Sequence, residues 1–254
     1  MRTWPQPSLK TSAEVEAIRA SCRLAVQVLE AVRENLRPGI ATRELDRIAA
    51  ERMRAGSAEP AVDPRFPGSI CVSVNAVAAH GVPSDYRLRD GDCVSVDVAL
   101  RLQGWCGDAA ATFVAGEPDP STARLVEYAL EACRAGVAAA RAGAHLGDIG
   151  AAVERTAAAG GYSILAEFVG HGLGRELHEE PEVPHTGLPG QGLRIAPGLV
   201  LTIEPALYLG AGRVIPAGDG WSFVTADGAR VAQFEHTVAV FRDRTELLTA
   251  GGLY

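Results

Sequence analysis

Lysine is almost absent from this chain: Lys10 is the only one, and all other basic residues are arginines. The sequence therefore excludes chemistry that needs a lysine in the core, such as a Schiff base or a phosphate-loop lysine. Positive charge is also in deficit, because 31 acidic residues outnumber 24 basic ones and give a formal net charge of −7. Nucleic acid is not expected as the main partner, since phosphate binding needs a basic surface.

Cysteine pairs and long apolar runs are missing as well. None of the five cysteines stands in a Cys-x-x-Cys pair, which argues against a zinc knuckle or a thioredoxin-type site and favours reduced thiols. The N-terminus has no apolar signal segment, and no stretch approaches the roughly 18–20 apolar residues that span a bilayer. We expect a cytoplasmic protein with no membrane partner.

Three common catalytic motifs are absent. The segment that begins at His178 lacks the second histidine of a His-Glu-x-x-His zinc helix. Gly170 begins a Gly-x-Gly-x-Gly run rather than the dinucleotide-binding Gly-x-Gly-x-x-Gly. No Gly-x-Ser-x-Gly elbow of a serine hydrolase occurs. The chemistry of this chain has to be sought elsewhere.

Apolar periodicity and cap residues predict four helices in two pairs. Thr11 and Glu14 form a capping box for the first helix, which Pro38 and Gly39 stop. The predicted helices cover 12–36, 42–56, 121–141 and 146–159. The predicted strands cover 93–98, 105–113, 163–169, 199–203 and 231–241.

The order of helices and strands occurs twice, and residue spacings recur with it. Gly39 and Glu44 match Gly143 and Asp148, and Gly91 and Asp97 match Gly198 and Glu204, each pair at the same spacing. The repeat predicts an N-terminal tail, 1–10, and a single domain, 11–254, with half-repeats at about 11–116 and 117–248. Two halves related by a pseudo-twofold axis would turn their sheets toward one crevice.

Four acidic residues are expected within apolar strands. Alternation places Asp97 on the face opposite its neighbouring valines, and a tight hairpin turn brings Asp108 opposite Ala99 on that same face. Glu204 and Glu235 are the counterparts in the second half. The sequence therefore predicts four carboxylates around one crevice.

Carboxylates in such a place need partners. A single one is explained more readily by a salt bridge or a solvated strand edge, but four facing one crevice repel one another. No lysine lies in these segments, whereas two divalent cations would balance four negative charges. Oxygen ligands with few histidines suit manganese, iron, cobalt or zinc.

Three of the six histidines are candidates for the same site. His171 lies between glycines, His178 follows it in the sequence, and His80 precedes a glycine in the first half. Each of them taken alone is more often a structural histidine. The remaining histidines, expected to be structural or superficial, are His145, His185 and His236.

Several motifs distinguish the chain from Thr11 to about Leu248. They are Ser73-Val74-Asn75, His80-Gly81-Val82-Pro83, Val96-Asp97-Val98, Gly107-Asp108, Gly170-His171-Gly172-Leu173-Gly174, His178-Glu179-Glu180-Pro181, Thr202-Ile203-Glu204-Pro205 and Glu235-His236-Thr237. In these motifs the chain resembles the type I methionine aminopeptidases. The resemblance implies an α+β protein with the pita-bread (creatinase/aminopeptidase) fold, in which two pseudo-twofold-related halves form a central antiparallel sheet covered by helices.

The resemblance also implies two divalent metal ions (cobalt, manganese, iron or zinc) and a set of site residues. The implied metal ligands are Asp97, Asp108, His171, Glu204 and Glu235. In the implied reaction a metal-activated hydroxide attacks the first peptide bond, His178 stabilises the oxyanion, Glu204 transfers the proton and His80 assists at the scissile nitrogen. The implied substrate contacts are His80, His178, Cys71, Phe66, Leu177 and Trp221.

The expected methionine pocket departs from the family pattern over residues 62–67. Phe66 can replace one aromatic wall. A tyrosine, a histidine and a glycine of the family are replaced by Asp63, Pro64 and Arg65. Two interpretations stay open: the charges reduce methionine affinity, or they point outward without effect.

The leading hypothesis is an aminopeptidase that removes the initiator methionine from nascent proteins and peptides. One alternative keeps the fold and the metals but shifts the specificity, for example to cleavage before proline. Proline dipeptidases usually carry an additional N-terminal domain, for which this chain has no room. Another alternative is a non-catalytic pita-bread binding protein, although such proteins typically lose metal ligands. The expected partners are N-terminal methionine peptides and nascent chains, with the ribosome as a candidate and the protein itself a monomer.

Overall fold

Four helices cover the sheets of the protein in a computed structural model that describes residues 7–210 and 213–251. They are α1 (Ser12–Asn35), α2 (Thr42–Ala55), α3 (Pro120–Ala139) and α4 (Leu146–Gly160). All four predicted helices are confirmed, with ends that differ by two residues or fewer. Residues 1–6 of the predicted N-terminal tail lie outside the described residues.

The start of α1 shows why these sequences form helices at these positions. The Glu14 backbone N–H donates to the Thr11 hydroxyl, and the Thr11 N–H donates to the Glu14 carboxylate at 2.8 Å, as predicted for a capping box. The next helix, α2, ends at Ala55, and its C-cap residue Gly56 donates its backbone N–H to the Arg52 carbonyl at 3.1 Å. Local cap chemistry thus sets both boundaries.

The first sheet is a four-stranded antiparallel sheet built around a long hairpin. Its strands are β1 (Ala58–Pro60), β2 (Cys71–Val74), β4 (Asp92–Leu102) and β5 (Trp105–Ala115), while β3 (Val77–Ala79) belongs to a separate small sheet. Leu102 pairs with Trp105 across the hairpin turn, and Ala99 pairs with Asp108. The predicted register is therefore confirmed.

The second half contains a five-stranded antiparallel sheet and contributes to two smaller ones. The large sheet has the order β15 (Thr245–Leu247), β14 (His236–Val240), β9 (Val200–Ile203), β7 (Gly170–Gly172) and β8 (Glu179–Val183). The small sheets combine β6 (Ser163–Ile164) with β10 (Ala206–Tyr208) and β13 (Val231–Gln233), and β3 with β11 (Val214–Pro216) and β12 (Phe223–Thr225).

Two predicted strands differ from the structure. The strand expected at 163–169 ends at Ile164, because the chain turns where the Phe168 N–H donates to the Leu165 carbonyl at 3.2 Å. The strand expected at 231–241 is divided into β13 and β14. At the break, the Glu235 N–H donates to the Ala110 carbonyl of β5 at 2.8 Å, which joins the second half to the first sheet.

The core lies between the helices and the sheets. Val28 of α1, Val96 of β4 and Leu201 of β9 are fully buried and belong to one hydrophobic cluster that extends through both halves. A Cβ on Gly107 would overlap the α1 backbone at Ser21, so glycine permits this close approach of helix and hairpin. Four helices packed on antiparallel sheets place the protein in the α+β class, and this architecture agrees with the pita-bread fold that the resemblance implies.

Within residues 7–210 and 213–251, no helix has both the length and the apolar character needed to cross a membrane. All five cysteines are buried free thiols. None of them is paired in a disulfide, and the reduced state of these thiols stays a prediction.

Candidate metal centre and active site

Five acidic and imidazole side chains meet where the two large sheets approach each other. Asp97 and Asp108 come from the β4–β5 hairpin, His171 from β7, Glu204 from the residue after β9, and Glu235 from the break before β14. All five line one cavity of about 210 Å³. Side chains far apart in sequence thus form one cluster, as the repeat predicts.

The ring of His171 presents its Nε2 lone pair to the acidic side chains. Its Nδ1 lies 3.0 Å from the Gly172 carbonyl, which can only accept, so Nδ1 carries the proton. Nε2 then faces Asp108 Oδ2 at 3.7 Å and Glu204 Oε1 at 3.5 Å. Burial lowers the pKa of His171 to about 4, so the ring is neutral at neutral pH. A neutral imidazole oriented in this way is suited to bind a cation.

The carboxylates raise one another's proton affinity. Burial raises the pKa of Glu204 to about 8 and that of Asp97 to about 6. Burial and neighbouring carboxylates also raise the pKa of Asp108 and of Glu235 well above the usual range. The described residues that line the cavity include no lysine or arginine to balance these charges. The cluster is therefore electrostatically unfavourable without a cation.

The donor set fits a divalent metal. Ligand atoms of Asp108, His171 and Glu235 all lie within 4.8 Å of one another. Asp108 Oδ1 is buried, and no hydrogen-bond partner for it exists among the described residues. Carboxylate oxygens combined with one imidazole suit manganese, iron, cobalt or zinc. The residues present therefore fit a divalent metal ion.

A set of hydrogen bonds orients Glu204, and sequence reasoning missed it. The Thr202 hydroxyl accepts from the His171 backbone N–H at 2.9 Å and donates to Glu204 Oε1 at 2.7 Å. The Glu204 backbone N–H donates to Nε2 of His185 at 3.0 Å, and Nδ1 of that histidine donates to the Phe168 carbonyl at 3.2 Å. His185, expected to be structural or superficial, is buried and supports the site directly. The position of Thr202 two residues before Glu204 was a usable signal, because alternate strand residues share a face.

His80 and His178 lie at the edge of the cavity and are accessible from it. Their rings are partly desolvated, which lowers the pKa of His80 and that of His178 and favours the neutral forms. The His178 ring lies 4.4 Å from that of His171 between centroids. The structure thus brings both predicted histidines to the acidic cluster.

The backbone at His80 is strained. Its φ of +52° lies in the left-handed region that residues with a Cβ rarely adopt. The Ser222 hydroxyl donates to the His80 carbonyl at 3.1 Å, and the next N–H, of Gly81, donates to the Ser73 hydroxyl at 3.1 Å. These bonds hold the strained turn, which directs the imidazole into the cavity.

One side of the cavity is apolar. Phe66 and Trp221 pack edge to face with their ring centroids 5.4 Å apart, and Leu177 and Cys71 complete the predicted set. Burial raises the pKa of Cys71 well above its usual value, so the thiol is protonated and weakly polar. All four predicted pocket residues therefore line the same cavity as the acidic cluster.

The two charged residues in the divergent loop are paired with each other. Asp63 lines the cavity, and its carboxylate accepts from Arg65 Nε at 3.0 Å and from a terminal guanidinium nitrogen at 2.6 Å. These hydrogen bonds lower the pKa of Asp63 to about 2. The Arg65 side chain is 83% exposed. The arginine therefore points outward, while its partner stays at the cavity wall.

The chain belongs to metallopeptidase family M24, whose family model matches residues 16–241. It is accordingly an enzyme of the hydrolase class. It is 40% identical to a methionine aminopeptidase of Clostridium perfringens over 243 residues, which cover 95% of this chain and 98% of that protein.

Solved structures agree with this assignment. A crystal structure of methionine aminopeptidase from Rickettsia prowazekii has a TM-score of 0.94 at 33% identity and covers 96% of this chain and 100% of that one. A prolidase from Pyrococcus furiosus shares the fold with a TM-score of 0.78 at 27% identity. The match covers 96% of this chain but only 66% of the prolidase chain. The predicted family and fold are confirmed.

Proposed function

We propose that this protein is a metal-dependent methionine aminopeptidase, which releases the N-terminal methionine of peptides and nascent proteins in the cytoplasm. The observation that carries the proposal is the single cavity in which the acidic cluster adjoins an apolar pocket. The pocket suits an unbranched thioether side chain, because Phe66 and Trp221 offer aromatic contacts to sulfur. The similarity to a methionine aminopeptidase over 95% of the chain supports the same conclusion.

Two divalent ions, of cobalt, manganese, iron or zinc, are part of the proposal. The proposed ligands are Asp97, Asp108, His171, Glu204 and Glu235. When bound, such ions provide Lewis acidity that lowers the pKa of water and polarises a carbonyl. The four carboxylates match the charge of two divalent ions, which would remove the repulsion within the cluster.

The remaining steps of the proposed hydrolysis are carried out by side chains of the protein. We propose that Glu204, held by Thr202, accepts the proton of the attacking water and passes it toward the leaving amine. His178 donates to the carbonyl oxygen as negative charge develops, and His80 donates or accepts at the scissile nitrogen. A neutral histidine can fill either role, because it carries one donor and one acceptor.

Hydrolysis of short peptides tests the proposal. The protein should release methionine from a Met-Ala peptide, lose this activity in the presence of a chelator, and regain it with one of the four metals. Peptides with proline in the second position but another first residue should remain uncleaved. Cleavage of those peptides in place of Met-Ala would support a proline-specific enzyme. A protein that binds no metal and hydrolyses neither peptide would be a binding module.

Nascent chains as substrates, association with the ribosome and a monomeric state complete the proposal. In this proposal the enzyme removes methionine in the cytoplasm, as chains emerge during synthesis. Cosedimentation tests the association with ribosomes, and sedimentation equilibrium of the pure protein tests the monomeric state.

Replacing His80 with alanine should lower the rate of methionine release by about a hundredfold, in the range expected for a positioned acid–base group. Metal content should stay unchanged, because His80 is a substrate contact in this proposal. The strain at its φ of +52° persists with alanine, so the variant changes the ring and not the backbone. Turnover and elemental analysis of the same sample distinguish a substrate contact from a metal ligand. A loss of metal in parallel with activity would instead identify His80 as a ligand.

A further inference from the structure

The only lysine of the chain is buried in an ion pair. The Lys10 ammonium lies 2.5 Å from Glu179 Oε2, and the two side chains are 4% and 17% exposed. The same ammonium donates to the Ser8 carbonyl at 3.2 Å, and the Lys10 backbone N–H donates to the Gly198 carbonyl at 2.7 Å. The segment before α1 is thereby attached to the second half through both backbone and side chain.

Glu179 uses its other oxygen to hold a short loop. Its Oε1 accepts from the backbone N–H of Arg175 at 3.0 Å and from that of Glu176 at 3.4 Å. A Cβ on Gly174 would overlap both this carboxylate and the Lys10 side chain, so the loop fits closely around the ion pair. On its far side the Gly174 carbonyl accepts from the Cys106 N–H of β5 at 2.8 Å.

The loop held in this way, residues 174–178, leads directly into the active cavity. Its last two residues, Leu177 and His178, line the cavity beside the acidic cluster. They follow directly on Arg175 and Glu176, whose backbone N–H groups the Glu179 carboxylate holds. The Lys10 ammonium supplies the positive charge at this carboxylate, and without it a largely buried anion would be left uncompensated.

We propose that Lys10 is a positioning residue for His178: through Glu179 it fixes loop 174–178 so that the imidazole faces the cavity. The inference rests on the proposed function, in which His178 donates to the developing oxyanion. Lys10 is not among the residues that line the cavity, and its ammonium pairs with Glu179, so its effect is transmitted through that carboxylate and the loop. The N-terminal segment thus becomes part of the catalytic apparatus without touching the substrate.

Exchange of Lys10 for methionine keeps the length of the side chain and removes the charge. We expect kcat for a Met-Ala peptide to fall by about tenfold, at the lower end of the roughly 10–100-fold effect of groups that orient a metal ligand, because Lys10 acts on His178 through an intervening residue. Lys10→Arg should recover most of the rate, since it restores the cation. Hydrogen exchange of the Arg175 and Glu176 amides should accelerate by about tenfold in Lys10→Met, because Glu179 no longer holds them.

A thermodynamic cycle separates positioning from general destabilisation. His178→Ala should lower kcat by a much smaller factor in the Lys10→Met background than in the parent, because the imidazole is already displaced there. Glu179→Gln should reproduce the kinetic loss, and metal content should remain at the parent level in all variants. The matched control is Arg47→Met, which breaks the exposed Arg47–Glu51 pair and should change none of these quantities.

Several results would overturn the inference. Unchanged exchange of the two amides, an undiminished cost of His178→Ala, or loss of metal and melting temperature together with activity would each contradict it. A parent protein that releases no methionine would contradict the proposed function instead. The amide exchange, which needs no turnover, would then still decide whether Lys10 holds the loop.

Discussion

Asp108→Ala is expected to lower methionine release by more than about a thousandfold, beyond the roughly 10–100-fold loss caused by removing an outer partner of a metal ligand. Asp108 is 4% exposed, and its Oδ2 lies 3.7 Å from Nε2 of His171. Its other oxygen, Oδ1, has no hydrogen-bond partner among the described residues. The proposed ligand set therefore loses a central member. Elemental analysis should show a parallel loss of bound metal.

Stability measurements provide the control for this variant. In chelator, Asp108→Ala should unfold at the same temperature as the parent or higher, because one of several repelling carboxylates is gone. Asp243→Ala, at an exposed residue paired with Arg244, should leave both turnover and metal content unchanged. Full turnover in Asp108→Ala or in the isosteric Asp108→Asn would refute the assignment of this residue as a ligand.

Glu204→Gln is expected to lower kcat by about 10²–10⁴-fold, the contribution of a positioned proton-transfer group. The amide keeps the shape and can retain its contact with Thr202, but it cannot take a proton from water. Because one oxygen remains available for a cation, metal content should fall less than in Asp108→Ala. Single-turnover kinetics with metal-saturated protein measure the loss of rate in the chemical step separately from any loss of metal.

The KM of the Glu204→Gln variant distinguishes the proposed role from a loss of binding. It should stay near the parent value, since the apolar pocket around Phe66 and Trp221 is untouched. Thr202→Val removes the hydroxyl donor and should have a smaller effect of the same kind. A Glu204→Gln variant that turns over at the parent rate would show that another group moves the proton.

The helices and the acidic hairpin could be predicted because their causes are local. A capping box at Thr11 and the strand alternation around Asp97 involve only neighbouring residues, and both are confirmed. The pairing of Asp108 with Ala99 follows from a two-residue turn by counting alone. The recurrence of the same spacings predicts that acidic residues from both parts of the sequence meet, and the four carboxylates do line one cavity.

Features that depend on distant contacts could not be predicted. The strand expected through Glu235 is broken because its backbone bonds to Ala110 of the other half. His185 supports Glu204 through one hydrogen bond that joins two separate segments. The pairing of Asp63 with Arg65 is local, but only the three-dimensional structure shows that the carboxylate remains at the cavity wall.

The origin of the acidic cluster from both large sheets has a consequence for how the enzyme matures. Ribosomes deliver the chain from its N-terminus, and the proposed ligands are encoded in order from Asp97 to Glu235. A growing polypeptide that still lacks the later sheet holds two aspartates on an open hairpin, a poor chelate for any ion. With the proposed ligands, the metal site is complete only after Glu235 has docked on Ala110, so we expect an incomplete chain neither to retain metal nor to hydrolyse peptides.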